Sequence, residues 1–267
     1  MLKRIIIFIG ICIGIYVFFG AILFFRQREF VYYPTMRDFE KCAGFKDAEK
    51  LNINGTRAYF KRNSDTLAVF YHGNAGSACG RTYIKKMIEN AGHSFLIVEY
   101  AGYSNDDKKP KEELLLQDVR NMVDFIKGEN FNKVLLIGES IGGSLSAFHA
   151  SEGSYDRMLL ISPFDTLGSV AQDAFPLYPA KMLVMEDYDN IKLLQGKENI
   201  WIIHGTEDEI IRIDRSKRLY GSIGGENNRY IEINGAGHND MFEFQQTTEI
   251  INRFLQKYGT TKSTTEE

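Results

Sequence analysis

The stretch Leu135–Gly143 reads LLIGESIGG and places a serine between glycines directly after an apolar run. Gly138, Ser140 and Gly142 match the pattern G-x-S-x-G, with a predicted strand before it and a predicted helix after it. Glycines on either side of the serine let the strand and the helix approach closely while the serine hydroxyl projects outward. This context favours Ser140 as a nucleophile over an ordinary tight turn.

Apolar, β-branched runs alternate along the chain with segments of helical period. The predicted strands are Leu67–Tyr71, Ser94–Tyr100, Lys133–Gly138, Arg157–Ile161, Asn199–Ile203 and Arg229–Ile233. The predicted helices are Arg81–Ala91, Pro110–Lys127, Ile141–Ser151, Asp214–Ser222 and Asn239–Lys257. A hairpin around Asn54-Gly55 precedes them. The alternation predicts an α/β fold, a mostly parallel sheet with helices on both faces and ligands beyond the carboxyl ends of the strands.

One long segment interrupts this alternation. Residues 165–198 lie between two predicted strands and carry two prolines and a run of apolar side chains. A long insertion at the ligand end of such a sheet is usually functional, so we predict a short cap over the site. The alternative is an additional packing helix, because stripes of methionine and aromatic residues often belong to a core.

The chain begins with an uncharged apolar run, Ile5–Phe25, flanked by basic residues. Such a run is long enough to cross a bilayer as a helix, and it ends in Leu23, Phe24 and Phe25 before Arg26 where a cleavage site would have small residues. We therefore predict an uncleaved membrane anchor over residues 1–29, a single-pass topology, and a domain over residues 30–259 on the non-cytoplasmic side. A cleaved signal is the alternative. The polar tail, residues 260–267, is predicted to be disordered.

Composition and charge exclude some function classes. The net charge is -3 and the pI about 6.0, with both signs interspersed, so we expect no nucleic-acid partner. The three cysteines lack CxxC spacing and are interpreted as isolated thiols. The chain has no HExxH motif and no phosphate loop of the GKS type, so we expect no metal and no cofactor.

A serine nucleophile needs a base and a group that orients the base. His238 lies in the Gly-rich loop GAGHND after the last predicted strand, and Asp208 lies in HGTEDE after the strand before it. Glu207 and Glu209 flank Asp208 and remain alternatives for the orienting acid. The chain order serine, aspartate, histidine is the order of α/β-hydrolases and differs from that of other serine triads.

The tetrahedral intermediate of acyl transfer needs N–H donors for its oxyanion. His72-Gly73-Asn74-Ala75-Gly76 follows a predicted strand, where a loop can aim a backbone N–H into the site. We predict that the backbone N–H groups of Asn74 and Ile141 form this oxyanion hole.

From about Tyr59 to Tyr258 the chain resembles the α/β-hydrolase superfamily. HGNAG, EYAGYSN, GESIGG, SPFDT, HGTEDE and GAGHND occur in the order found in its membrane-anchored abhydrolase-domain branch. The resemblance implies the α/β-hydrolase fold and activity on acyl esters or thioesters, including lysophospholipids. Where family members usually carry Asp-Tyr-Arg-Gly-Tyr-Gly, this chain has Glu-Tyr-Ala-Gly-Tyr-Ser from Glu99 to Ser104, so substrate preference does not carry over from that loop.

The sequence thus predicts a membrane-anchored serine hydrolase that cleaves carboxylic esters or thioesters of small-molecule or lipid acyl substrates. A peptidase of the prolyl-oligopeptidase type shares the fold and triad but usually carries a further large domain. A non-catalytic, membrane-tethered binding protein would have no need for all three triad residues. Acyl transfer to an acceptor other than water, the oligomeric state and the acyl length are left open.

Overall fold

A computed structural model describes residues 1–225 and 227–256 of the chain. The tail predicted to be disordered, residues 260–267, lies outside the described residues.

The first element is the helix α1, Leu2–Val31. Within the described residues it is the one helix long and apolar enough to cross a membrane, judged by length and composition. At about 1.5 Å per residue, a helix of this length spans about 45 Å, which exceeds the hydrocarbon core of a bilayer. It runs two residues beyond the predicted end of the anchor at residue 29.

The strands form an eight-stranded sheet and a separate two-stranded pair. In chain order the strands are β1 (Tyr33–Pro34), β2 (Glu49–Ile53), β3 (Thr56–Lys61), β4 (Thr66–Tyr71), β5 (Ala75–Gly76), β6 (Ser94–Glu99), β7 (Lys133–Glu139), β8 (Arg157–Ile161), β9 (Ile200–Gly205) and β10 (Arg229–Ile233). The spatial order of the large sheet is β10-β9-β8-β7-β4-β6-β3-β2. β3 runs antiparallel to its neighbours β2 and β6, and the other pairs of this sheet in the described part of the chain are parallel. The predicted hairpin and the mostly parallel sheet are both confirmed.

Helices cover both faces of this sheet, as predicted. They are α2 (Thr82–Asn90), α3 (Glu112–Gly128), α4 (Ile141–Glu152), α5 (Leu167–Ala174), α6 (Ala180–Leu183), α7 (Asn190–Leu194), α8 (Ile213–Ile223) and α9 (Gln245–Leu255). Alternating side chains of β7 enter two cores: Leu136 packs in the core beneath α3, α4, α7 and α8, whereas Leu135 and Ile137 pack in the core beneath α2 and α9. The predicted insertion contains α5, α6 and α7, and we call residues 165–198 the cap.

The last predicted helix, Asn239–Lys257, is wrong in its first turn. A short 3-10 turn, Met241–Glu243, comes first, and Phe244 has an extended backbone before α9 begins at Gln245. The side chain of Asp240 accepts a hydrogen bond from the Gly237 N–H at 2.7 Å. This local bond stabilises a loop around His238 and competes with helix formation.

The interpretation of the cysteines as isolated thiols is wrong for two of them. Cys42 and Cys79 form a disulfide across 37 residues, while Cys12 is free and exposed. No local spacing in the sequence predicts this disulfide, because the two cysteines come together only when the fold packs the segment before β2 against the turn after β5. The disulfide therefore joins the segment that leaves α1 to the segment that follows the HGNAG loop.

Candidate active site

Ser140 lies in a strained turn between β7 and α4. Its φ of +54° is rare for a residue with a side chain. A Cβ at Gly142 would lie 2.0 Å from the Tyr71 carbonyl oxygen, and a Cβ at Gly138 would lie 2.4 Å from the Gly142 carbonyl oxygen. Both glycines are thus required by close backbone contacts.

The turn is fixed by the neighbouring strand. The Ser140 N–H donates a hydrogen bond of 2.8 Å to the carbonyl of Ile161, the last residue of β8. The side chain stays mostly buried, with 7% of Ser140 exposed. The hydroxyl is held at the carboxyl edge of the sheet, where ligands of α/β folds bind.

The three residues predicted as a triad lie in hydrogen-bonding contact. The Ser140 Oγ lies 3.2 Å from His238 Nε2, and His238 Nδ1 lies 2.7 Å from Asp208 Oδ2. With Nδ1–H donating to the carboxylate, Nε2 is free to accept the serine proton. Glu207 and Glu209, the alternative acids, have exposed side chains, and Asp208 is the residue of the three that contacts His238.

Asp208 is held by several donors besides His238. Its Oδ1 accepts the N–H groups of Ile210 at 3.0 Å and Ile211 at 2.7 Å. His204 Nε2 lies 3.1 Å from Asp208 Oδ2 and 2.8 Å from the Ile211 carbonyl, so one N–H is shared between two acceptors. The sequence motifs did not single out His204 as a site residue, although its position at the end of β9, four residues before the acid, was an available signal.

These donors keep the carboxylate ionised. Burial alone raises the pKa of Asp208, but hydrogen bonds from His204 and His238 outweigh it and hold that pKa well below the ordinary range of an aspartate. The ionised carboxylate accepts the Nδ1–H of His238 and thereby orients Nε2 toward the Ser140 hydroxyl.

The two predicted oxyanion donors lie in segments that meet at this site. Ile141 is the first residue of α4, so its N–H is among those without an intrahelical acceptor. The loop containing Asn74 is fixed by three contacts: the Asn74 carbonyl accepts the Tyr33 N–H at 3.0 Å and the Tyr103 hydroxyl at 2.7 Å, and the Asn74 side chain donates to the Val31 carbonyl at 2.8 Å.

The run Glu99–Ser104, which departs from the family pattern, contacts the residues on either side of this loop. The Tyr100 hydroxyl donates to the His72 carbonyl at 2.7 Å, and the Tyr100 ring stacks on the His72 ring. The buried Glu99 carboxylate accepts hydrogen bonds from the Ala78 N–H and the Ser104 hydroxyl. His72 is therefore a buried scaffold residue.

Comparison with known proteins reveals relatives over most of the chain. No family model matches. An uncharacterized protein of Mycobacterium tuberculosis is 26% identical over 254 residues, which cover 88% of this chain and 90% of that protein. An uncharacterized membrane protein of Saccharomyces cerevisiae is 27% identical over 177 residues, covering 63% of this chain and 62% of its own.

The fold comparison is more specific. An esterase of Pyrococcus furiosus superposes with a TM-score of 0.66 at 15% identity, covering 84% of this chain and 96% of the esterase. Together with the strand order and the turn at Ser140, this shows that the protein has the α/β-hydrolase fold.

Proposed function

We propose that the protein is a membrane-anchored serine hydrolase that cleaves carboxylic esters or thioesters. The observation that carries this proposal is the continuous chain of contacts from Ser140 Oγ through His238 to Asp208. The esterase with the similar fold supports the general chemistry, since ester hydrolysis uses such a serine, base and acid.

The reaction has two halves. Ser140 Oγ attacks the acyl carbon while His238 Nε2 takes the hydroxyl proton, and the N–H groups of Asn74 and Ile141 donate to the oxyanion. The tetrahedral intermediate collapses, the leaving alcohol or thiol receives the proton from His238, and an acyl-serine remains. Water then attacks the acyl-serine, giving its proton to His238, and the carboxylic acid and the serine hydroxyl are released.

The membrane position is part of the same proposal. The length and apolar surface of α1 and the similarity to a yeast membrane protein support a single span. The Cys42–Cys79 disulfide supports a non-cytoplasmic location of the domain, because disulfides persist in oxidising compartments.

Labelling with a fluorophosphonate probe tests the serine. Wild type, Ser140→Ala and His238→Ala are compared in one detergent extract, and we expect labelling only of the wild type. Hydrolysis of ester, thioester and peptide substrates by unlabelled wild-type enzyme from the same extract then separates an esterase from a peptidase. A folded wild type that neither labels nor hydrolyses would overturn the proposal in favour of a tethered binding protein.

A further inference from the structure

The cap contacts the apolar helix directly, far from the end of that helix. The ring of Tyr16 stacks on the ring of Tyr178 with centroids 4.5 Å apart. The Tyr16 hydroxyl donates to the Leu177 carbonyl at 2.8 Å, and the Tyr178 hydroxyl donates to the Tyr16 carbonyl at 3.1 Å. These contacts fix the height of the cap along α1.

That height lies inside the apolar run. Tyr16 precedes Phe25, the last residue of the uncharged run, by nine residues, which is about 13 Å along a helix. The hydrocarbon core of a bilayer is about 30 Å thick, so a helix that spans it holds Tyr16 near mid-depth. Tilting shortens this depth by only a few ångströms at the usual angles. The segment around Tyr178 then lies below the level of the lipid head groups.

The side chains of this segment suit hydrocarbon. Leu177 and Met182 are 81% and 85% exposed, and Leu183 and Met185 are also exposed. Four exposed apolar side chains within nine residues form a patch of the kind that marks a membrane or partner contact. The single charged residue between Ala174 and Met185 is Lys181, whose long stem allows its amine to reach the head groups.

An apolar cavity of about 150 Å³ lies between α1 and the cap. Gly20, Phe24 and Phe30 line it from the helix, and Val170, Phe175 and Val184 line it from the cap. We call this cavity the anchor–cap groove.

Both walls of the groove include residues that are close in the chain, or hydrogen-bonded, to segments of the active site. Val31 lines it on the helix side, and the Val31 carbonyl accepts the side-chain N–H of Asn74, an oxyanion-loop residue. On the cap side Leu167 lines it, only six residues after Ile161, whose carbonyl holds the Ser140 N–H.

We propose that the tip of the cap is immersed in the lipid leaflet and that the anchor–cap groove binds an acyl chain of a membrane lipid, which enters sideways from the bilayer. This inference rests on the proposed membrane anchor and hydrolase function and names the substrate class: a lipid ester whose chain lies in the groove while its carbonyl reaches Ser140. The occupant is a lipid chain because the groove opens at the depth where lipid chains are the surrounding solvent.

Tryptophan quenching by lipids brominated in the acyl chain tests the immersion. In full-length Trp201→Phe protein, reconstituted in phosphatidylcholine vesicles, we compare Leu177→Trp and Met182→Trp with Asn252→Trp. Asn252 is exposed on α9, which covers the opposite face of the sheet. We expect brominated lipid to reduce the fluorescence of both cap tryptophans at least twofold and to leave the control unchanged. Quenching of the cap positions no stronger than that of Asn252→Trp would overturn the immersion.

Photo-crosslinking tests the groove without relying on catalysis. Ser140→Ala protein is reconstituted with phosphatidylcholine that carries a diazirine in one acyl chain, and the crosslinked peptides are mapped by mass spectrometry. We expect crosslinks in residues 20–31 and 167–184, reduced at least fivefold by Ala171→Phe and by Val184→Phe, which fill the groove from the cap side. Two filling variants are compared because either one alone could fail to fold.

The outcomes separate the inference from the proposed function. Absence of lipid crosslinks in these segments, crosslinks unaffected by both filling variants, or crosslinks between two protein chains through the groove would overturn the groove assignment. Fluorophosphonate labelling of the wild type is independent of these results, so either claim can fail while the other stands.

Discussion

The triad and the contact between α1 and the cap both join residues distant in sequence, but by different means. Ser140 and His238 are 98 residues apart and lie at the carboxyl ends of β7 and β10, in one parallel sheet. Arg28 and Glu186 are 158 residues apart, and no strand pairing links their segments. Backbone register therefore positions the triad, whereas side-chain contacts position the cap.

The comparison implies that the two regions have separate effects on activity and on stability. Changes in the triad should abolish chemistry while the sheet stays folded, because the strands remain paired. Changes between α1 and the cap should affect stability and lipid binding while the triad keeps its geometry.

Asp208→Asn should give the largest effect, a loss of about 10⁴-fold in kcat for ester hydrolysis. An amide that presents its N–H₂ to His238 favours the wrong tautomer, so Nε2 no longer accepts the serine proton. The matched control is Glu207→Gln, an exposed neighbour, which should retain wild-type kcat. A loss below tenfold for Asp208→Asn would contradict the assigned role of Asp208 in orienting His238.

Removing the disulfide with Cys42→Ser and Cys79→Ser should lower the free energy of unfolding by about 4 kcal/mol. The expected size follows from the chain entropy of a loop of 37 residues. Thermal and denaturant unfolding in detergent measure the change, and Cys12→Ser, at the free cysteine, is the control. A double variant as stable as this control would show that the segment after α1 is held to the site by packing alone.

Arg28→Met should destabilise the contact between α1 and the cap by about 1 to 2 kcal/mol. The Arg28 Nε lies 2.5 Å from Glu186 Oε1, and Glu186 is buried, with 2% of its side chain exposed. Loss of the arginine leaves a buried carboxylate with fewer partners, although the Tyr32 hydroxyl and the Glu112 N–H still donate to it. The half-exposed guanidinium reduces the expected cost.

The control for this variant is Arg26→Met, which removes an exposed pair with Glu29 and should not measurably change unfolding. Esterase activity on a short-chain substrate should persist in Arg28→Met, since the triad is held by the sheet. If Arg28→Met lost activity in proportion to Asp208→Asn, the division between the two regions would be wrong.

The triad could be predicted from the sequence, whereas the contacts between distant surfaces could not. The G-x-S-x-G turn, the base after the last strand and the acid after the preceding strand all have local signals, and strand order places them together. The second donor to Asp208, the disulfide between Cys42 and Cys79, and the stacking of Tyr16 on Tyr178 depend on how distant surfaces meet. No periodicity or spacing encodes those contacts, so only the folded chain reveals them.

A pH titration should give the smallest effect and reveal opposite signs in the two regions. Burial raises the pKa of Glu112, a hydrogen bond from the Asp187 N–H opposes the rise, and the charge of Glu186 adds to it; the net shift is upward from 4.5. The folded protein therefore binds this proton more tightly than the unfolded chain does. The stability that Glu112 contributes is fully present below pH 4.5 and is lost as the pH rises through the raised pKa.

Asp208 has the opposite sign. Its pKa is lowered from 3.8, so its contribution to stability is present above pH 3.8 and is lost as the pH falls.

Thermal unfolding in detergent between about pH 3 and 7 separates the two groups, because their contributions change in opposite directions. Glu112→Gln should flatten the part of the profile above pH 4.5. Glu113→Gln is a close control, because Glu113 lies next in the same first turn of α3, shares the interaction with the helix N-terminus and is exposed. A profile for Glu112→Gln that matches both wild type and Glu113→Gln would show that the half-buried site beside the cap does not raise the pKa of Glu112. The cap would then be attached to α1 through Arg28 and the aromatic contacts, and its position over the groove would not respond to pH in this range.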